Sequence, residues 1–269
     1  MILSEWKDIL ILTVGFMLSI TAGLVGAKIQ RILDQRGEKR PLNLLLNFGN
    51  DDILFIFPHR EEIIEAILPR TSTEDFLAMN NFISALINRG WNRRIGVRDT
   101  RRVTPSDKKK NLVIICSPKS NDLTSELQTT LSKQGLIKKQ LFMFEKAVDG
   151  KWLIFDGDGT YPSKSYEQEA AYLKAGLDRR DLPTKSFEDY AVITKVSNPW
   201  NEKNKIILLA GIRGIGTWAA AECIKKEWRQ IYEQLPQNHK DTDFSALLKI
   251  NYDNCDITSI DVRRVNDIS

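Results

Sequence analysis

Short apolar runs punctuate the chain at Ile53 to Phe57, Leu112 to Cys116, Leu141 to Phe144, Trp152 to Phe155, Ala191 to Ile193 and Ile206 to Ala210. In each run both parities of an extended chain are hydrophobic, the pattern of strands covered on both faces in a largely parallel sheet between helices. Helical patterns separate them. Ser72 or Thr73 can cap a helix whose face is Phe76, Met79, Ile83, Leu86 and Ile87 and whose stop is Gly90. Asn121 introduces a second helix that ends near Gly135, and a third follows Gly216 with a stripe of Ala221, Ile224, Trp228, Ile231 and Leu235. This alternation predicts an α/β domain, a mainly parallel Rossmann-like sheet flanked by helices. Two runs around Asp149-Gly150 predict an antiparallel hairpin insertion, and the segment from Ala246 to Val265 predicts two more short strands.

The start of the chain follows a different pattern. Ile9 to Ala27 carries no charged residue, and at about 1.5 Å per residue a helix of that length crosses a hydrocarbon core about 30 Å thick. Glu5, Lys7 and Asp8 precede it, whereas Lys28, Arg31, Arg36, Lys39 and Arg40 follow it against Asp34 and Glu38. The positive-inside rule then predicts a short extracytoplasmic tail (1–8), a transmembrane helix (9–27), a juxtamembrane helix and linker (28–42) and a cytosolic domain (43–269). The expected localisation is the cell membrane, single-pass. Val25-Gly26-Ala27 has the small residues of a signal-peptidase site, but the preceding residues carry almost no positive charge and the apolar stretch exceeds the usual length of a signal peptide. Ser19 with Gly23 and Ala22 with Gly26 lie one turn apart, a spacing that permits homo-oligomer contact through the span.

Composition narrows the chemistry. The 269 residues carry a net charge of +4 from charges of both signs, too mild a bias to point to nucleic acid. Asn92 to Lys110, taken with Arg89, holds nine Lys or Arg and two Asp, and reads as a solvated loop that could lie against anionic lipid. It lacks aromatics after Trp91, so no nucleic-acid partner is expected. Cys116, Cys223 and Cys255 are an odd, scattered set, which fits reduced thiols; with His59 and His239 as the only histidines, a zinc site is not expected.

The candidate ligand site is the loop Gly211-Ile212-Arg213-Gly214-Ile215-Gly216-Thr217 between an apolar run and a helix. Glycines there let an anion approach the backbone at a helix N-terminus, Arg213 adds a charge and Thr217 a hydroxyl. Ser117, Asn121 and Asn198 close other strands and are candidate second contacts; Arg70, Thr71 and Asp75 stand at another helix start. Gly211, Gly216 and Thr217 match the outline of the phosphate loop GxxxxGK[ST] without its lysine, and Arg213 stands where the dinucleotide fingerprint needs its second glycine. The plainer reading is that these glycines serve a tight turn and close helix-sheet packing.

A rival site is Phe155-Asp156-Gly157-Asp158-Gly159-Thr160. It resembles the first motif of the haloacid dehalogenase superfamily, an apolar strand running into DxDGT. The resemblance implies a magnesium-dependent phosphohydrolase with Asp156 as nucleophile and Asp158 as general acid-base. The same stretch also places Asp156, Asp158, Thr160 and Glu167 at calcium-loop spacing, but Tyr161 occupies the place of the turn glycine. The plain alternative is Asp-Gly turns between strands. His59, just after an apolar run, is expected to cap or pack.

The preferred expectation is a single-pass membrane-anchored domain that binds a small anionic, nucleotide-type ligand as a sensor rather than an enzyme, with no certain cofactor. The alternatives are the magnesium-dependent phosphohydrolase and a non-catalytic membrane scaffold.

Overall fold

The computed structural model describes residues 45–49, 51–59, 72–88, 90–135, 141–165, 167–168, 174, 187–236, 242–253 and 256–268. The chain divides into two compact units, Met1–Leu44 and Leu45–Ser269, and the described residues belong to the second. The expected span Ile9 to Ala27, together with Arg70, Thr71 and Cys255, lies outside them. No helix among the described residues is long and apolar enough to cross a membrane.

A seven-stranded sheet forms the centre. Its strands in chain order are β1 (Ile53–Phe57), β2 (Ile95–Asp99), β3 (Asn111–Ile115), β7 (Phe187–Ser197), β8 (Lys205–Gly211), β9 (Phe244–Asp253) and β10 (Asp256–Asp267). They lie side by side as β10-β9-β7-β8-β3-β1-β2. Three pairings are parallel (β1 with β2, β1 with β3, β3 with β8) and three are antiparallel (β7 with β8, β7 with β9, β9 with β10). The fold is therefore mixed α/β with helices on the sheet. Antiparallel pairing is not confined to an insertion, because Ala191 to Ile193 belongs to a long returning strand. Apolar residues at both parities report that a strand is covered on both faces, and they carry no information on its direction.

The helices are α1 (Thr73–Ile87), α2 (Pro105–Lys108), α3 (Asp122–Lys133), α4 (Gly214–Lys226) and α5 (Trp228–Gln234). Ser72 caps α1 by accepting from Asp75 N, and Asn121 caps α3 by accepting from Leu123 N. Gly90 and Gly135 follow the two helices at φ of 85° and 75°, the left-handed conformation that glycine adopts without cost. The buried face of α1 is Ala78, Phe82, Ala85 and Leu86, one residue out of step with the expected stripe. Phe76 and Ile87 are exposed instead. Small residues let α1 lie close to α4, and a periodicity count that scores large side chains overlooks them. The expected third helix is two, α4 and α5, with the break at Glu227.

The two faces of the sheet are covered by helices from different strands. Phe82 of α1 meets Phe55 edge-on at 5.8 Å, whereas Leu123, Leu127 and Leu131 of α3 share a cluster with Leu54, Ile56, Leu112 and Ile114. Alternate residues of β1 point to opposite faces, so α1 and α3 leave the adjacent strands β1 and β3 on opposite sides. Their carboxyl ends form a topological switch point, the place where open α/β sheets receive ligands.

A second, three-stranded sheet pairs β4 (Met143–Lys146), β5 (Trp152–Phe155) and β6 (Thr160–Pro162). The expected hairpin is its first turn, with Gly150 at φ 82° and Ala147 N donating to Lys151 O at 2.8 Å. Phe144 and Ile154 carry it into the α3-side cluster. The expected tail strands are much longer than anticipated, at 10 and 12 residues.

Strand β8 and helix α4 approach so closely that a β-carbon at Gly211 would lie 2.5 Å from Gly216 Cα. That neighbour is backbone, as is the Gly216 carbonyl carbon at the same distance, so neither can yield. Gly211→Ala is expected to destabilise the domain by ~3 kcal/mol or more. Gly135→Ala, with nothing within 4 Å of the added carbon, should cost only about 1–2 kcal/mol from its positive φ. Urea midpoints of the two variants check the ranking.

Candidate functional site

The glycine loop connects β8 to α4, and its first three backbone N–H groups and the Thr217 hydroxyl are engaged within the protein. Gly211 N donates to Thr217 Oγ1 at 3.0 Å, Ile212 N to Tyr190 O at 3.0 Å, and Arg213 N to Asp189 Oδ2 at 3.1 Å. Thr217 is fully buried. A β-carbon at Gly216 would meet Asp189 Oδ2 at 2.6 Å, and one at Gly214 would meet the Glu74 side chain at 3.2 Å. The start of a helix favours negative charge, and here the chain supplies that charge itself from Asp189. Asp189 from beneath and the Glu74 side chain beside Gly214 set negative charge next to that helix start, which works against a second anion. Gly211, Gly214 and Gly216 thus have a packing role.

Asp189 is wholly buried, and its Oδ1 has no hydrogen-bond partner. Burial pushes its pKa up to about 6, against the opposing pull of the Ser163 hydroxyl and the Arg213 amide. Desolvation disfavours the charged form, and this is the expected sign for a carboxyl shut into the sheet-helix interface.

Asn198 lies at the other end of the sheet. It follows β7, which runs antiparallel to β8, so the carboxyl end of β7 adjoins the amino end of β8. Its Nδ2 donates to Lys108 O and Lys110 O, both at 2.7 Å, and its Oδ1 accepts from Trp200 N. Asn198 cannot join Ser117, Asn121 and Thr217 around one crevice. The expectation that it could rested on a parallel β7.

Ser117 and Asn121 do sit at the switch point. Asn121 Nδ2 donates to Ile115 O at 2.8 Å, while its Oδ1 receives Leu123 N and Thr100 Oγ1. Thr100 Oγ1 also lies 2.6 Å from Phe57 O, so its single proton is shared between the two acceptors and one asparagine ties together the ends of β1, β2 and β3. Between Ile115 and Ser117 the chain turns at Cys116 with φ 88°, a conformation that non-glycine residues reach only when their surroundings enforce it. Leu209 O and Thr124 Oγ1 hold that residue's backbone N–H and carbonyl.

Across the same edge, His59 Nδ1 lies 2.8 Å from Asp99 Oδ2. The Asp99 side chain is 7% exposed and the His59 side chain 27%. The other Asp99 oxygen accepts from Arg101 N at 2.8 Å, so the carboxylate is fixed and its imidazole partner is oriented. Arg101 and Arg102 are exposed just beyond it. Sequence reasoning took His59 for a cap or packing residue and overlooked Asp99. The stretch Asn92 to Lys110, expected as a loop, contains β2, a 3-10 turn (Thr100–Arg102) and α2. The local signal for that strand was the β-branched pair Ile95 and Val97, outweighed by the arginines around it.

The aspartates of the rival motif are held by a cation. Asp156 is 1% exposed. Its Oδ1 accepts from Asp158 N and Gly159 N at 3.0 and 2.8 Å, and its Oδ2 from Tyr161 OH and Arg264 Nη1 at 3.2 and 2.9 Å. Asp158 is exposed and 3.5 Å from Arg264 Nη2. These residues join β5 to β6 against β10 of the seven-stranded sheet, and Asp156 closes an Asp-Gly turn. Among the described residues no three His, Cys, Asp or Glu groups gather as metal ligands. Cys116 and Cys223 are buried free thiols, and burial pushes the Cys223 thiol well up.

No family model matches the chain, and the curated proteins contain no match to it.

The raised pKa of Asp189 has a direct consequence. The folded chain keeps that proton up to about pH 6, whereas an unfolded aspartate releases it near 3.8. The stability it contributes is present below pH 3.8 and is lost as pH rises through 6. Asp189→Asn keeps an acceptor for Arg213 N and is expected to flatten the stability profile across that window, leaving the variant at least as stable as the parent at neutral pH. Thermal unfolding as a function of pH checks this.

Proposed function

We propose that the chain is a membrane-tethered α/β binding module that takes a small anionic, nucleotide-type ligand at the carboxyl ends of β1, β2 and β3. The tether is the apolar run Ile9 to Ala27, and the domain after it is cytosolic. The observation that carries the ligand reading is the His59–Asp99 pair at the switch point. A buried carboxylate fixes one ring nitrogen of a half-buried histidine, and among the described residues the other has no partner, which supports its use by a ligand. Arg101 and Arg102 beside the pair supply positive charge. The constrained backbone at Cys116, whose neighbour Ser117 closes β3, marks the same place, and backbone strain of this kind concentrates at ligand sites.

Ligand binding here stabilises the fold by mass action, about 2.7 kcal/mol when ligand is present at roughly a hundred times its Kd. A panel of nucleotides should therefore contain at least one that raises the thermal midpoint of the full chain. His59→Ala is expected to abolish that rise, Asp99→Asn to reduce it, and Arg213→Ala to leave it intact. A rise that survives His59→Ala, or no rise with any nucleotide, counts against the reading.

A further inference from the structure

At the amino side of the sheet, β1 and β2 border a groove of about 410 Å³. Its floor is Leu54 and the backbone of Gly96, and its rim is Arg94, Arg98, Lys110 and Asp52. Residues two apart on a strand share a face, so Arg94, Gly96 and Arg98 point the same way. That face is the one on which Leu54 packs with α3, since a β-carbon at Gly96 would meet Leu54 Cδ1 at 3.0 Å. Gly96 leaves the space between the two guanidinium stems open.

The cations are arranged by a carboxylate rather than neutralised one by one. Asp107 is 3% exposed and lies 2.8 Å from Lys110 Nζ and 3.5 Å from Arg98 Nε. It is locked in a capping box, with its Oδ2 accepting from Thr104 N and Thr104 Oγ1 at 3.1 and 2.9 Å. Although burial pushes it up, hydrogen bonds from Lys110 and Thr104 hold its pKa down at about 2. It therefore stays charged and keeps both cations in place. Arg98 Nε is buried without a hydrogen-bond partner. Among the described residues the Arg94 guanidinium has no hydrogen-bond partner, while the backbone N–H of that residue donates to Asp52 Oδ1 at 3.3 Å. Two guanidinium forks and an ammonium thus surround a groove large enough for a small ligand, with donors left over. Guanidinium forks match the paired oxygens of phosphate.

We infer that this groove is an anion site for a phosphate-bearing group, bound by Arg94 and Arg98 with Lys110 alongside and with Asp107 as the positioning residue. A soluble phosphate ester and a phospholipid headgroup present the same chemistry, and the experiment has an arm for each. In the first, the full chain is titrated with pyrophosphate and its thermal midpoint followed. In the second, hydrogen exchange at Ile95 to Asp99 is compared in phosphatidylcholine vesicles with and without phosphatidylserine. The exchange signal is local to the groove, so it does not depend on whether the N-terminal run inserts.

The expected result is saturable stabilisation, or serine-lipid-dependent protection, that weakens about tenfold in Arg98→Gln, the loss of roughly one good charge-assisted contact, and likewise in Arg94→Gln. Lys203→Gln, at an exposed lysine outside the groove, should leave either response unchanged. The thermal midpoint of each variant without ligand shows that it folds. A response in the first arm alone assigns a soluble ligand, and in the second alone a headgroup. If neither probe gives a response, or if Lys203→Gln weakens it as much as Arg98→Gln, the inference is overturned.

Discussion

The close approach of β8 to α4 governs much of what this domain can do. With no β-carbon at Gly211 or Gly216, the first turn of the helix lies directly on the sheet, and the gap that remains is taken by the Asp189 carboxylate. That contact joins the two halves of the sheet, because Asp189 belongs to β7 of the antiparallel half and α4 follows β8, whose other neighbour β3 runs parallel to it. It also decides the electrostatics. A helix start that already faces a buried carboxylate is a poor receiver of a second anion, which favours the proposed ligand site at the ends of β1 and β2 over this loop.

The remaining chemistry sits where strands end. At the carboxyl edge, Asn121 draws β1, β2 and β3 together and the His59–Asp99 pair stands over their junction. Toward the amino edge, Asp107 holds Lys110 and Arg98 beside a groove. Both arrangements use one buried acid to orient basic groups and so fix their geometry, and at the amino edge the single Asp107 carboxylate faces two cations and leaves net positive charge. The opposite flank of the sheet is closed in a different manner. Strand β10, at its edge, carries irregularities between Ile257 and Ser259 and between Val262 and Arg264, and such bulges discourage further strand pairing. Arg264 reaches from it to Asp156 and secures the smaller sheet.

Much of this was legible in the sequence because burial leaves a mark in composition. The apolar runs located the central strands, Ser72 and Asn121 located two helix starts, and Asp149-Gly150 located the hairpin. Strand direction was not legible, since Val192 and Ile193 are buried on two faces whichever way β7 runs. Asn198 was misplaced for that reason alone. The face of α1 was missed because Ala78 and Ala85 bury fully while the larger Phe76 stays exposed. Asp189 escaped notice because a lone acid between Glu188 and Tyr190 has no local signature; its meaning comes from Gly216, which is distant in sequence. Asp99 was hidden among arginines for the same kind of reason.

The most direct measurement is a nuclear magnetic resonance titration of the full chain with the nucleotide that most raises its thermal midpoint, following the His59 ring nitrogens and the backbone amides together. The account predicts that the His59 ring, Asp99 and Ser117 shift in concert and saturate at one Kd while Gly214, Ile215 and Gly216 stay still. Shifts concentrated at Gly214 to Gly216, with the His59 ring unmoved, would contradict it.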